Sequence, residues 1–240
     1  MTTIATTLND VVDRAAVQLL DPGNVRWARA TVIGFVNEAM REILAHRPDA
    51  FALTTDLTLQ PGAEQRLPDE YSALSSVESS VAPNGTPKRV HEGDYRYYRL
   101  QRSAVTPRRG ANPARDFTVR TYVKHPIDDR IWYADPPVPP DAHVRVRATV
   151  IRVPGNYSAT EGPKALPIRP EFESQVLDWV CYRCLSGEHE SQQAREMAKV
   201  YLEAFIKLLG LKDKAALRFS NGGHDPTPAE MTAQRMGATK

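Results

Sequence analysis

The stretch "WVCYRCLSGEHE", Trp179 to Glu190, holds both cysteines of the chain, Cys181 and Cys184, followed by His189 between Glu188 and Glu190. A C-x-x-C pair supports redox exchange when a helix N-terminus lowers the thiol pKa, and binds zinc when other ligands complete a tetrahedron. Neither condition is met. The pair lies deep in a helical pattern, near its C-terminal end, where the helix dipole opposes a thiolate. No second C-x-x-C or H-x-x-x-H follows, and the histidines at 46, 91, 125, 143, 189 and 224 are scattered. Cys181 and Cys184 share a helix face with Leu177, Val180 and Leu185, so they read as small core residues. His189 and its glutamates read as a solvated cap in a turn between helices.

"GNYSATEGPK", Gly155 to Lys164, misses the phosphate-loop spacing. Pro163 precedes the lysine and Ala165-Leu166 replace Ser/Thr, so it reads as a polar loop. No G-x-S-x-G, H-E-x-x-H or G-x-G-x-x-G occurs. "YRYYRLQR", Tyr95 to Arg102, interleaves aromatics with arginines, as single-strand binders do. Packing of an amphipathic segment with an exposed basic face explains it as well. The chain therefore reads as an assembly component needing no cofactor and no metal, rather than an enzyme.

The elements that carry these residues follow from periodicity. Leu8, Val11, Val12, Ala15, Ala16, Leu19 and Leu20 form one face of a helix, with Thr7 and Asp10 as a capping box and Asp21-Pro22-Gly23 as the stop. A second helix runs from about Ala28 to His46 and ends at Pro48. Phe51, Leu53, Leu57 and Leu59 alternate as one side of a strand, and Pro61-Gly62 turns the chain. "LSSVESSVA", "FTVRTYV", "RIWYA" and "HVRVRATVIRV" read as further strands, "APNGTP" as an Asn-Gly turn, and 94–103 as a short helix. "VTPRRGANPAR" reads as a loop and "ADPPVPPDA" as a stiff proline connector. Helices return after Pro170, the last ending at Gly210, and a tail from about Ser220 is too polar to fold alone.

The expected fold is thus α+β: a mainly helical bundle of four helices from both chain ends, an inserted β-rich domain and an extended C-terminal tail. The boundaries are 1–47 for the first helix hairpin, 48–168 for the insertion, 169–211 for the second helix pair and 212–240 for the tail. No apolar run reaches the ~20 residues of a membrane span. The N-terminus lacks a basic region ahead of an apolar run and is not a signal peptide, so a reducing cytosol is the simplest place of synthesis. Net charge is +2 overall but uneven: −5 over residues 1–87, +7 over 88–124 and zero beyond. Such asymmetry implies a charged partner, nucleic acid or an acidic protein face, or else a solvated Arg-rich loop.

The text "LLDPGNVRWARATVIGFVNEAMREILAHRPDAFA" resembles the opening of tailed-phage head-to-tail adaptor proteins. The matching residues are Asn24, Arg26, Trp27, Asn37, Glu38, Ala39, Arg41, Ile43 and Arg47-Pro48-Asp49-Ala50. "RIWYADPPVPPDAHVRVRATVIRVP" is similar to the family's β segment, and "LPIRPEFESQVLDWVCYRCLS" and "AREMAKVYLEAFIKLLGLK" to its last two helices. The likeness covers most of residues 8–212. The Arg-rich 103–116 segment has no counterpart in it.

The resemblance implies a virion structural protein of the neck, made in the bacterial host cytoplasm. It implies a homo-oligomeric ring, commonly of twelve copies, with the portal above, a tail or nozzle protein below and double-stranded DNA passing through without sequence-specific binding. By the same resemblance the C-terminal segment grips the portal, with Arg218, Phe219, Met231, Arg235, Met236 and Lys240 as its available anchors. Arg99, Arg102, Arg108 and Arg109 of the basic block are read, from charge alone, as contacts between copies. The alternative is a nucleic-acid-binding protein that uses the basic 88–124 segment.

Overall fold

The computed structural model describes residues 6–81, 87–101, 117–140, 143–158, 164–188 and 191–220. The chain divides into two compact units. A helical unit comprises Thr6–Arg47, Tyr157–Lys164 and the chain from Glu173, and a β-rich unit comprises Pro48–Asn156 and Ala165–Phe172.

The helical unit is built from α1 (Leu8–Gln18), α2 (Arg29–His46), α4 (Glu173–Ser186) and α5 (Gln192–Ser220). The capping box forms as expected: Asp10 N–H donates to Thr7 Oγ1 at 3.2 Å and Thr7 N–H donates back to Asp10 Oδ2 at 2.8 Å. α4 packs against all three other helices. It does so because its buried residues, among them Val176, Leu177, Val180, Cys181 and Cys184, cover a wide face rather than one stripe. Trp179 of α4 meets Phe205 of α5 with ring centroids 4.9 Å apart.

Two expected helix ends move. α1 stops before Asp21-Pro22-Gly23, through a Schellman arrangement in which Leu20 N–H bonds Val17 C=O and Asp21 N–H bonds Ala16 C=O. Leu20 takes the left-handed position (φ 56°) that glycine usually holds. α5 does not end at Gly210 but runs on to Ser220. One interior glycine costs only about 1 kcal/mol, and the Leu, Lys and Ala residues beyond it favour propagation.

The β-rich unit holds β1 (Ala52–Thr58), β2 (Gly62–Arg66), β3 (Tyr71–Val81), β4 (Pro87–Arg89), β5 (His91–Glu92), α3 (Tyr95–Gln101), β6 (Thr121–Lys124), β7 (Ile131–Val138) and β8 (Arg145–Arg152). They form two four-stranded sheets, ordered β1-β8-β3-β4 and β2-β7-β6-β5. Both sheets contribute to one apolar cluster that includes Leu57, Leu74, Val77, Trp132, Val144, Val146 and Val150. The alternation of β8 is realised: Val144, Val146, Ala148 and Val150 are buried.

Other strand expectations are corrected. Leu53 is 40% exposed, because β1 is an edge strand whose N-terminal half is only partly covered. The proline connector is in part strand: β7 continues through Asp135-Pro136-Pro137-Val138, with a cis Asp135–Pro136 bond. Neither proline has a ladder partner, since β6 pairing stops at Asp135 and β2 pairing jumps irregularly from Tyr133 to Val138. β2, β4 and β5 were not anticipated, being short and largely polar. Gly62, at φ 108°, makes the turn into β2. The Asn-Gly turn, the Arg-rich loop and the tail beyond Ser220 lie outside the described residues.

A Cβ on Gly210 would meet nothing within 4 Å. Gly210→Ala is therefore expected to raise stability by about 1 kcal/mol in urea denaturation, with no change in helix content by circular dichroism.

Candidate assembly surfaces

Neighbouring residues of the 21–27 loop do different work. Asp21 accepts the backbone N–H groups of Val25, Arg26 and Trp27 at 2.9–3.0 Å, and Asn24 supplies a left-handed residue (φ 50°) inside the turn. This geometry aims Trp27 at the end of α4, where its Nε1–H donates to Cys184 C=O at 3.2 Å. The bond satisfies one of the carbonyls that a helix C-terminus leaves open. Arg26 pairs with Glu188 and lies 4.8 Å from the Trp27 ring centroid. Glu188 is thus an ion-pair partner rather than part of a solvated cap. His189 and Glu190 lie outside the described residues.

The next matched residues act in the same way. Asn37 binds both backbone groups of Tyr157: its Nδ2–H donates to Tyr157 C=O at 2.9 Å, and Tyr157 N–H donates to its Oδ1 at 2.8 Å. Glu38 forms an ion pair with Arg183 of α4 at 2.9 Å. Ala39 and Ile43 are buried, and Arg47, also buried, donates from Nη1 to Leu209 C=O on α5 at 3.3 Å. Arg26, Trp27, Asn37, Glu38 and Arg47 are therefore fasteners between α1–α2 and segments far along the chain, while Asn24 shapes the turn that carries two of them. Their partners Glu188, Tyr157, Arg183 and Leu209 carry no local sequence signal. Asp21 could have been found from its place before Pro-Gly, as a side chain that caps a turn.

The cysteines are core residues. Cys181 and Cys184 are 0% and 1% exposed, and Cys181 Sγ–H donates to Gln18 Oε1 at 3.2 Å. Burial first, then neighbouring acidic groups, pushes each thiol up to about 12. Such thiols remain protonated and make poor nucleophiles and poor metal ligands. Among the described residues no group of three or more His, Cys, Asp or Glu is placed to hold a metal ion. No helix among them is long and apolar enough to cross a membrane.

On the β-rich unit, α3 resolves the mixed aromatic and arginine text into two faces. Tyr95 and Tyr98 pack onto Tyr133, with centroids 5.9 and 5.0 Å away, while Tyr97 is 67% exposed beside exposed Arg96 and Arg99. β4 ends one sheet and β5 the other, and they are consecutive, so both sheet edges meet at one border of the unit. His91 N–H binds Arg120 C=O, which brings Arg120 to that border too. Lys88, Arg89 and Arg120 are exposed there, Arg96 and Arg99 are exposed on α3, and the side chains of all five make no ion pair among the described residues. Lys124 instead pairs with Glu92 at 3.5 Å.

Of the residues assigned from sequence to contacts, Arg99 is exposed in the last turn of α3, and Arg218 and Phe219 fall in the last turn of α5. Arg102, Arg108, Arg109, Met231, Arg235, Met236 and Lys240 lie outside the described residues. A helical unit braced by long-range polar contacts, protonated thiols and a β-rich unit with exposed cations are the features that the family comparison meets. The family model described as SU10 adaptor protein matches residues 6–226, and the chain belongs to that family of phage head-to-tail adaptors. It is a bacteriophage virion structural protein of the neck, made in the host cytoplasm, with a connector role. No curated protein matches the chain.

The loop hydrogen bonds hold the Asp21 carboxyl below its usual range, the Trp27 N–H bond contributing most. A depressed carboxylate pKa adds stability that is present above about pH 4 and is lost as pH falls through the lowered native value. Asp21→Asn is expected to lower stability at pH 7 and to flatten its decline as pH falls below about 4, read by thermal melting across pH.

Proposed function

We propose that the chain assembles as a ring, of about twelve copies as in similar adaptors, that docks beneath the portal. The ring joins the portal to a tail or nozzle protein below. Double-stranded DNA passes through its channel without sequence-specific binding, and no membrane is involved. The 1–47 and 169–211 segments act as the rigid bundle, 48–168 as the inserted β-rich domain and 212–240 as the portal-gripping end.

The observation that carries this reading is the set of exposed cations around the β4–β5 border and on α3, Lys88, Arg89, Arg120, Arg96 and Arg99, whose side chains make no ion pair among the described residues. Cations gathered on one unit repel one another unless an acidic surface faces them. The −5 charge of residues 1–87 in a neighbouring copy supplies one. Contact between two different surfaces of identical copies is heterologous and closes into a ring when its rotation fits. The exposed Tyr97 between Arg96 and Arg99 also suits a nucleic-acid strand, which favours a second reading in which this border binds nucleic acid.

Changing Arg99, Arg102, Arg108 and Arg109 together to Glu is expected to abolish ring formation in negative-stain images while leaving the melting temperature within about 2 °C. Tight duplex-DNA binding by the wild-type chain at physiological salt, lost in this variant, would instead establish the nucleic-acid reading.

The chain end supplies a second contact. Arg218, Phe219, Met231, Arg235, Met236 and Lys240 offer apolar anchors and cations to an acidic portal surface. One such segment per copy lets weak contacts sum through effective concentration. Ending the chain at Arg218 is expected to keep circular dichroism and melting but to remove co-purification with portal rings. Full occupancy of portal by the shortened chain would move the attachment site to the β-rich unit or the helix hairpins.

A further inference from the structure

The border opposite β4 and β5 is formed by β1 and β2, the other two sheet edges. Natural sheets guard their edges with short strands, prolines or lysines. β4 has all three devices: it is three residues long and contains Pro87 and Lys88. β1 has none. It is seven residues long, A-L-T-T-D-L-T, and pairs with β8 in unbroken register from Ala52↔Ile151 to Thr58↔Arg145.

The register shows which backbone groups are open. Leu59 N–H donates to Val144 C=O at 2.9 Å, which makes 59/144 a hydrogen-bonded pair. Antiparallel pairs alternate, so Leu57, Thr55 and Leu53 also bond to β8, while Ala52, Thr54, Asp56 and Thr58 turn their N–H and C=O outward. The 3.0 Å contact between Thr54 Oγ1 and Thr149 Oγ1 agrees, since side chains approach more closely in pairs that do not exchange backbone bonds. None of these four residues has a backbone hydrogen bond on the outward side among the described residues.

A cavity of about 270 Å³ lies against the same edge. Consecutive residues Asp56, Leu57 and Thr58, from both faces of β1, line it, and no β8 residue does. Leu57, Leu59, Leu67 and Trp132 give its lining an apolar part, beside the polar Gln60, Gln65 and Glu70. An open strand edge with a pocket for an alternate side chain is the arrangement by which sheets accept an added strand: backbone bonds hold it and the pocket selects it.

We propose that β1 accepts an added strand, and that the strand is the N-terminal arm, residues 1–5, of a second copy of this chain. The arm reads M-T-T-I-A, with no proline, glycine or charge, whereas every other segment outside the described residues carries at least one of these. Thr7, the N-cap of α1, has the extended backbone usual at that position (φ −91°, ψ 162°), which is compatible with an extended arm before it. Five extended residues span about 17 Å, enough to cover most of β1. Alternation then places Ile4 toward the cavity and Thr3 on the opposite face, the one that carries Thr54, Asp56 and Thr58. The docking of strand on edge follows from β1 itself; the choice of a second copy rests on the ring reading.

The test uses the chain lacking residues 2–5 and a fluorescein-labelled peptide of residues 1–8. The peptide is expected to bind the shortened chain by anisotropy, and Thr54→Pro, which removes one outward N–H without touching the β8 ladder, is expected to weaken binding at least tenfold. Two further peptides, N-methylated at Thr2 and Ile4 or at Thr3 and Ala5, probe the same bonds without altering the protein: one is expected to bind and the other not. Absence of binding, or equal binding of the two methylated peptides, overturns the added strand. Light scattering then separates the occupant. Arm deletion is expected to weaken self-association of the chain at least tenfold. Peptide binding with self-association unchanged by arm deletion overturns the second copy and places the arm on its own chain. Arm-dependent assembly without portal binding leaves this proposal standing while the portal reading fails.

Discussion

Closing a helical unit around a long insertion is the constraint from which the rest follows. α1 and α2 lie more than a hundred residues before α4 and α5, and loop closure over such a span opposes folding. Apolar stripes supply the driving force, but they do not fix how one helix slides along another. The fasteners do: Trp27 to Cys184, Asn37 to Tyr157, Glu38 to Arg183 and Arg47 to Leu209. Each joins a polar group of the first hairpin to a backbone or charged group that would otherwise be left open, so a shifted register leaves several of them unpaired at once.

This arrangement also explains why residues that look functional are structural. Arg26 and Trp27 would suit ligand binding on an open surface, yet a guanidinium on an indole ring beside a carboxylate is here a brace at the end of α4. Glu38 and Arg183 form a second brace, with the Arg183 guanidinium 5.2 Å from the Phe35 ring centroid. Cross-braced helices resist sliding better than an apolar seam alone.

The β-rich unit divides differently. Its interior is a conventional two-sheet core, while its two borders are chemically distinct: one basic and guarded by Pro87 and Lys88, the other rich in threonine and unguarded. Two unlike borders on one rigid unit are what a heterologous contact between identical copies requires.

Period and capping chemistry in the sequence determined the four bundle helices, the capping box at Thr7, the alternation of β8 and the burial of the cysteine pair. These depend on residues within a turn or two of one another. The short strands β2, β4 and β5 were not legible, because polar strands of two to five residues carry no periodic signal. The ends of α1 and α5 were misread because local stops compete with propagation, and Leu20 took the role expected of glycine. The assembly borders were half legible: the basic block showed as a charge count, but which cations lie together depended on β4, β5 and Arg120 meeting at one border. The partners of Asn37 and Trp27, the open edge of β1 and the cavity against it were decided by tertiary structure alone, because pairings across more than a hundred residues leave no spacing in the chain to read.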